Sequence, residues 1–277
     1  LARVQPSGKT AALLKLAHLL YEYSGQRILI LTYNRALVAD IKRLLTLIGV
    51  HDGAAQRSIV VQTAHSYFYD LLKGLGILPQ PCNDFLQRYE HYKAEALRLL
   101  RDVRPGNADD LERVIVEHND AFSWDYIFID EGQDWPVDQR NILFSLYDYR
   151  KFVIADGLDQ LTWGSRIDWR ETIDPSQTQI VTLSKSLRLR AGVCRFVNAF
   201  ARHVGLDDWV LEPYGKEQGR VVVLEGYYAQ SPEFHAELMQ QHSEQQRSPI
   251  DMLFCAPPRL VRQDAQRRRY CVVAPIL

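Results

Sequence analysis

The sequence has few of the features that mark secreted, metal-binding or membrane proteins. Its four cysteines form no CxxC pair and match no zinc spacing, and its eight histidines include no HExxH motif. No apolar run reaches the length of a membrane span, and the first residues do not resemble a signal peptide. These absences argue against a disulfide framework or a transition-metal centre, and we expect a cytoplasmic protein with reduced, packed thiols.

An excess of positive charge is also missing. The chain has 33 Lys and Arg against 34 Asp and Glu, a formal net charge of -1. A globally basic nucleic-acid binder is therefore not indicated, although a local basic groove stays compatible with this balance. Hydrophobic residues make up 47% of the 277 residues, which is enough for the core of one large domain or two smaller ones.

Five short apolar runs predict the strands of a parallel sheet. The runs lack strict alternation, which is typical of strands covered on both faces. They occupy residues 27–33, 58–63, 126–130, 151–155 and 179–183, with 2–4 as the stub of a sixth. Helical patterns at 10–23 and 36–48 lie between the first runs. This alternation predicts a doubly wound α/β fold.

The alternation of strands and helices is interrupted twice. Residues 74–119 are mostly helical and charged, which predicts a helical insertion on the core. After about residue 205 the pattern restarts, with apolar runs at 220–225 and 251–255. We therefore predict a first domain over residues 1–205 and the beginning, or a remnant, of a second α/β domain over 206–277.

A phosphate-binding turn is the first candidate site. Ser7, Gly8, Lys9 and Thr10 stand at the start of the first predicted helix. Backbone N–H groups at such a turn cradle phosphates, and in a P-loop the lysine reaches the β- and γ-phosphates while the next hydroxyl ligates magnesium. The full P-loop pattern has a glycine where this chain has Arg3. An ordinary helix start, capped by Ser7, therefore stays open as the alternative.

Two acids at the end of a predicted strand are the second candidate. Asp130 and Glu131 directly follow the apolar run that begins at residue 126. The carboxyl ends of parallel strands form the edge of a sheet at which nucleotides bind. There Asp130 would hold magnesium, and Glu131 would orient and deprotonate an attacking water. A solvated strand edge is the alternative, but together with Lys9 and Thr10 the acids predict a site for ATP with Mg²⁺.

The residues around these acids resemble a known family. Residues 130–134 read DEGQD, which resembles the DExQD box of UvrD/Rep-like superfamily 1 helicases. Four further segments stand in the order that the family has. LTYNRA at 31–36 resembles its motif Ia, TAHSY at 63–67 its TxHS motif, ADGLDQ at 155–160 its motif III, and LSKSLR at 183–188 its LxxNYR stretch. The resemblance covers about residues 3–200, and the joint order is more specific than any single motif.

The resemblance implies a RecA-like motor domain that uses ATP to move along single-stranded nucleic acid, with DNA favoured. It implies that Gln133 and Gln160 sense the γ-phosphate and couple it to the nucleic acid. It further implies that Arg188 acts as an arginine finger on the charge of the transition state. A surface position for Arg188 and a turn cap for Gln160 are the alternatives.

Five residues are candidates for contact with nucleic acid: Tyr33, Asn34, Arg35, His65 and Trp163. They stand at or just after predicted strand ends, where cations can pair with phosphates and flat rings can stack on bases. Core packing is the rival interpretation for Tyr33 and Trp163. For Trp135, directly after the acidic box, packing is the preferred role.

Three classes of function compete. The first is an ATP-dependent translocase or helicase, the second a nucleotide-binding switch or degenerate NTPase without unwinding activity, and the third a small-molecule kinase. Arg3 and Pro6 favour the switch, whereas the intact Lys9, Thr10 and acidic pair favour hydrolysis. The DEGQD box and Gln160 argue against the kinase.

Overall fold

The structure is a computed structural model in which most of the chain is described. The chain divides into two compact units, Leu1–Arg220 and Val221–Leu277. The described residues are 8–50, 58–102, 122–157, 167–182, 185–186, 189–207, 210–213, 215–216, 219, 221, 232–244, 261–263 and 269–271.

A four-stranded parallel sheet forms the centre of the first unit. Its strands are β1 (Arg27–Thr32), β2 (Ser58–Thr63), β3 (Tyr126–Ile129) and β4 (Phe152–Ile154). They lie in the order β2-β1-β3-β4, and each neighbouring pair is parallel. The α/β class and four of the five predicted strands are thereby confirmed. Because the strands run in one direction, their carboxyl ends meet at one edge of the sheet.

Helices cover both faces of this sheet. They are α1 (Lys9–Ser24), α2 (Arg35–Leu47), α3 (Ala64–Gly74), α4 (Tyr89–Leu99) and α5 (Val137–Leu146). Ile28 and Ile30 of β1 join the core cluster that includes residues of α1 and α2, whereas Leu29 and Leu31 join the cluster that includes residues of α3, α4 and α5. Since both faces of β1 are buried, its apolar run is continuous and not alternating.

The fifth predicted strand, 179–183, is wrong over its described residues. Residues 179–182 follow a 3₁₀ turn (Pro175–Gln177) and pair with no strand in the part of the chain that the structure describes. Ile180 and Val181 are 46% and 56% exposed, so the burial that their apolar character predicted is incomplete. The segment instead lines a cavity of about 480 Å³ beside β4.

Some sequence-based expectations fall outside the described residues. Among these are the stub at 2–4, residues 103–119 of the predicted helical insertion, the apolar run at 251–255, and all of 220–225 except Val221. The first unit also contains β5 (Lys185–Ser186), α6 (Ala191–His203) and β6 (Glu212–Pro213), and β5 pairs in parallel with β6. In the second unit, α7 (Pro232–Glu244) precedes an antiparallel pair, β7 (Val261–Gln263) and β8 (Arg269–Cys271). Of the helices described, none combines the length and the apolar character needed to cross a membrane.

A buried ionic cluster fixes α4 to the core. Lys93 of α4 is 1% exposed, and its Nζ lies 2.6 Å from the Asp138 carboxylate of α5 and 2.8 Å from that of Glu90. The same ammonium lies 4.8 Å from the centre of the Tyr89 ring. A buried charge is tolerated only with such partners. The cluster therefore holds α4 against α5, next to the carboxyl edge of the sheet.

Replacing Lys93 by Met should lower the free energy of unfolding by about 2 kcal/mol, because it leaves the Asp138 carboxylate without its counter-ion. We place the loss below that of a fully buried pair, since the Asp138 side chain is 25% exposed. Chemical denaturation measures the change. Glu90→Gln is the control and should change stability little, because that side chain is 83% exposed. Adding Asp138→Leu to Lys93→Met should recover part of the loss, and equal stability of Lys93→Met and wild type would contradict the assignment.

Candidate functional site

The helix α1 begins at a glycine in the left-handed conformation. Gly8 has a φ of 75° and precedes Lys9, the first helical residue. This conformation suits glycine, because a β-carbon would be strained there. Lys9 is only 6% exposed, and its Nζ lies 3.1 Å from Oε2 of Glu131. The start of α1 therefore presents its ammonium to the acidic turn after β3. Ser7, the remaining residue of the predicted phosphate-binding turn, lies outside the described residues.

The carboxylate of Asp130 is buried at the end of β3. It is 2% exposed as a residue and accepts a hydrogen bond from the Thr10 hydroxyl at 3.2 Å. Its backbone N–H donates to the carbonyl of Leu31 at 3.0 Å, which continues the contact between β1 and β3 past the strand end. Burial, and then the neighbouring Glu131 carboxylate, raise the pKa of Asp130 to about 6. A buried acid with a like charge beside it favours the binding of a cation.

The oxygens of Thr10 and Asp130 suit a magnesium ion. Magnesium prefers hard oxygen ligands and is commonly held by one or two protein groups together with water and substrate phosphates. The two oxygens are 3.2 Å apart although the residues are separated by 120 positions in the chain. The donor set at the start of α1 and the end of β3 therefore fits this ion.

Glu131 has an unusual backbone conformation. Among the described residues other than glycine, it alone has a positive φ, at 49°. Such a conformation costs an L-residue about 1–2 kcal/mol, and it persists because hydrogen bonds hold the turn. The Asp134 N–H donates to the carbonyl of Glu131 at 3.0 Å, and the Gly132 N–H donates to the carbonyl of Ala155 at 2.8 Å. Strain of this kind is characteristic of functional sites.

Gln133 connects the acidic turn to the chain after β4. It is 3% exposed, its Nε2 donates to Oε2 of Glu131 at 2.8 Å, and its Oε1 accepts from the Gly157 N–H at 2.7 Å. Gln133 therefore contacts the same carboxylate oxygen as Lys9. Gln160 and Arg188, the other residues predicted to contact the phosphates, lie outside the described residues.

Tyr33 lies half-buried at the end of β1. Its hydroxyl donates to the side-chain carbonyl of Gln139, and its ring centre lies 5.2 Å from that of Trp135 and 5.4 Å from that of His65. Burial raises the pKa of Tyr33 above its usual value. Tyr33 thus takes part in core packing while it borders the surface at His65.

The other candidates for nucleic-acid contact differ in what they do locally. Asn34 caps α2, because its Oδ1 accepts from the N–H groups of Ala36 and Leu37 at 3.0 and 3.2 Å. Arg35 and His65 are exposed. Partial desolvation of the His65 ring by its neighbours, and then the charge of Lys93, lower the pKa of His65, which favours the neutral ring. Trp163 lies outside the described residues.

Three residues that support the site had no motif to mark this role. Trp169 is fully buried and donates its indole N–H to the carbonyl of Gly132 at 2.8 Å. Gln139 accepts from Tyr33 and donates to the Tyr89 hydroxyl at 2.9 Å. Trp135 packs as predicted, at 3% exposure, and its indole also donates to the carbonyl of Asp130 at 3.3 Å. No local pattern marks these contacts, because their partners are up to 106 residues away in the chain.

No family model matches the chain, and no curated protein matches it. The resemblance to superfamily 1 helicases therefore rests on its motifs.

Replacing Asp130 by Asn should raise the melting temperature of the ligand-free protein at about pH 8. The amide keeps the oxygen that accepts from Thr10 and removes a buried charge. The folded-state pKa of about 6 lies above the ordinary value of 3.8, so the folded state binds more protons between these values and loses stability as the pH rises through them. The gain from Asp130→Asn should be full above about pH 7 and vanish below about pH 4.

Calorimetry across this pH range, without divalent cations, measures the effect of the Asp130 substitution. Asp40→Asn is the matched control, because Asp40 is exposed on α2. The control should follow the wild-type pH profile. A melting temperature of Asp130→Asn at or below that of wild type at the upper end of the range would show that the carboxylate does not destabilise the fold.

Proposed function

We propose that the first unit is an ATP-hydrolysing motor domain of the UvrD/Rep-like superfamily 1 helicase type, acting on single-stranded nucleic acid. One observation carries the proposal. Lys9 lies 3.1 Å from Glu131, and Thr10 lies 3.2 Å from Asp130, across 122 and 120 positions of the chain. A helix start with a lysine and a hydroxyl, facing a strand end with two acids, supplies the two halves of an ATP–magnesium site.

The sheet is compatible with the RecA-like fold that the resemblance implies. β3, which precedes the acids, lies inside the sheet between β1 and β4. The same parallel order is compatible with other doubly wound folds. Support for a RecA-like domain therefore comes from the site and the motif order, together with the sheet.

Lys9 would bind the β- and γ-phosphates of ATP. In the structure its ammonium pairs with Glu131, and the side chain is only 5% exposed. Nucleotide phosphates would offer this ammonium a stronger partner, and the exchange would leave the Glu131 carboxylate available to water. Thr10 and Asp130 would hold magnesium, which when bound neutralises charge on the phosphates.

Glu131 would orient the attacking water and accept its proton. Gln133 would hold the Glu131 carboxylate in its orientation toward the water, because its amide nitrogen donates to Oε2 of Glu131 at 2.8 Å. The other end of the Gln133 side chain accepts from Gly157, at the start of the segment in which Gln160 and Trp163 follow. Gln133 therefore supports the proposed link between the nucleotide and the nucleic acid.

The nucleic acid would bind at the same edge of the sheet. Tyr33, Arg35 and His65 follow the ends of β1 and β2, which are neighbours in the sheet. Arg35 is an exposed cation that can pair with phosphate, and the exposed His65 ring, 5.4 Å from that of Tyr33, can stack on a base. Contacts of these kinds do not read base edges, so we expect binding that is independent of sequence. The preference for DNA follows from the resemblance.

A nucleotide-binding switch without unwinding activity is the second candidate function. The Lys9–Glu131 ion pair favours it, because a carboxylate that stays paired with an ammonium 3.1 Å away is not available to an attacking water. The two candidates differ in turnover: a switch would bind ATP with magnesium and release no phosphate.

Replacing Glu131 by Gln should keep ATP binding and lower turnover by roughly two to four orders of magnitude, the usual contribution of general-base catalysis. Lys9→Ala should abolish turnover and weaken ATP binding, because it removes a counter-charge from the phosphates. Phosphate release, with and without single-stranded DNA or RNA, measures turnover. Calorimetric titration with a non-hydrolysable ATP analogue measures binding.

The matched control is Glu22→Gln, an exposed acid on the same helix as Lys9. Its turnover should equal that of wild type. Wild-type protein that binds ATP and releases no phosphate would favour the switch. Undiminished turnover in Glu131→Gln would mean that another group activates the water.

Replacing Arg35 by Ala should weaken single-strand binding and reduce the slope of log affinity against log salt by about one phosphate contact. Arg43→Ala is the control, because Arg43 is exposed on the same helix, about 12 Å further from the strand ends.

Trp163→Ala should weaken strand binding about ten-fold, the contribution of one stacked base, and leave ATP affinity unchanged. Fluorescence anisotropy over a range of salt concentrations measures the affinities.

The melting temperature of Trp163→Ala separates stacking from core packing. A core role would lower it and weaken both ligands together. Salt slopes that are equal in Arg35→Ala, Arg43→Ala and wild type would remove Arg35 from the strand surface.

A further inference from the structure

We infer that Trp169 is a positioning residue that holds Glu131 in its working orientation, a role that rests on the proposed ATPase function. The indole N–H of Trp169 donates to the carbonyl of Gly132 at 2.8 Å. Gly132 directly follows Glu131 in the chain. Among the described hydrogen bonds and ring contacts, Trp169 has none with Lys9 or Thr10, whereas it donates directly to the acidic turn.

The acidic turn needs to be held from outside. Glu131 has a φ of 49°, a backbone conformation that residues with a β-carbon rarely adopt. Before it, the N–H of Asp130 is tied to β1 through the carbonyl of Leu31 at 3.0 Å. After it, the N–H of Gly132 donates to the carbonyl of Ala155, the residue directly after β4, at 2.8 Å. The Trp169 indole then fixes the next peptide group through its carbonyl.

The space around Gly132 shows how closely Trp169 and β4 enclose the turn. A β-carbon built on Gly132 would lie 2.5 Å from Cγ2 of Ile154 and 3.2 Å from Nε1 of Trp169. The glycine is therefore required by the close approach of both neighbours. Trp169 therefore both packs closely against Gly132 and donates a hydrogen bond to its carbonyl.

Trp169 is itself firmly anchored. It is fully buried, and its ring lies edge-on to those of Trp135 and Phe144 at 5.8 and 5.7 Å. On its amino side, Arg140 of α5 donates to the carbonyl of Asp168 at 2.7 Å. On its carboxyl side, the same guanidinium pairs with Glu171 at 3.2 Å. A donor fixed in this way can impose a backbone conformation on the turn.

Loss of the indole N–H would therefore misplace the Glu131 carboxylate without removing any of the side chains to which we assign a contact with ATP or magnesium. A misplacement of about 1 Å can cost on the order of 100-fold in rate. We expect a smaller loss, about ten-fold, because the Gly132 carbonyl keeps a second donor, the N–H of Trp135 at 3.3 Å. The Michaelis constant for ATP should change less than about two-fold, because the substitution leaves in place the side chains that would bind ATP equally in the ground state and the transition state.

Trp169→Phe in the full chain tests this inference, with kcat and KM for ATP as the readout. The matched control is Trp124→Phe at the opposite end of β3. Trp124 is also buried, at 5% exposure, and its indole nitrogen has no hydrogen-bond partner among the described residues. The control should keep the wild-type kcat. If Trp169→Phe does not fold, 3-benzothienylalanine at position 169 keeps the shape and replaces only the N–H by sulfur, with the same expected loss.

A double substitution separates positioning from a general loss of structure. In the Glu131→Gln protein, Trp169→Phe should cause no further loss of kcat, because both changes act through one carboxylate. A full additional loss in that background, or a wild-type kcat in both Trp169 variants, would overturn the inference.

Hydrogen exchange of the amides at 131–134 provides a readout that does not depend on turnover. Exchange should be faster in Trp169→Phe than in Trp124→Phe and wild type, because the turn has lost one of its anchors. Unchanged exchange would overturn the positioning role even in a protein that hydrolyses no ATP. Absence of hydrolysis by the wild-type protein, with faster exchange in Trp169→Phe, would count against the proposed function alone.

Discussion

The parallel direction of the four strands is the constraint on which the candidate site depends. Because every strand of the sheet ends at the same edge, the chain returns to that edge after each crossover. Tyr33 follows β1, His65 lies just after β2, the acidic turn follows β3, and Gly157 lies just after β4. The start of α1 reaches the same edge and brings Lys9 to the acids. Residues that are far apart in the chain therefore meet at one edge of the sheet.

The site is held in a state that the isolated chain would avoid. Asp130 is a buried acid with a raised pKa, and Glu131 has a left-handed backbone. The contacts that offset these costs come from outside the two acids. They are the ammonium and the hydroxyl of α1 and the indoles of Trp135 and Trp169. Trp135 also packs against Tyr33, with ring centres 5.2 Å apart. Trp135 therefore contacts both the proposed ATP site, through Asp130, and the proposed nucleic-acid surface, through Tyr33.

Features with a local pattern could be predicted from the sequence. Uninterrupted apolar runs placed four strands within one residue of their observed ends, and apolar spacing placed α1 and α2 equally well. The candidate site could also be predicted from the sequence. Two acids stand directly after β3, and a lysine and a hydroxyl stand at a helix start; the rule that ligands bind at the carboxyl edge of a parallel sheet then predicts where they lie. The run at 179–182 misled this reasoning, because apolar composition alone does not show whether a partner strand lies beside it.

The sequence by itself determined which chemical groups stand at the strand ends, since strand ends and helix starts are encoded within a few neighbouring residues. Only the tertiary structure decided how those groups are held. Trp169 lies 37 residues from the carbonyl it binds, Gln139 lies 106 residues from Tyr33, and Lys93 meets Asp138 across two helices. Contacts of this length leave no periodic or local signal, because they depend on how whole elements pack. For the same reason, only the tertiary structure shows that Asp130 is buried beside a second carboxylate, which raises the pKa of Asp130 to about 6.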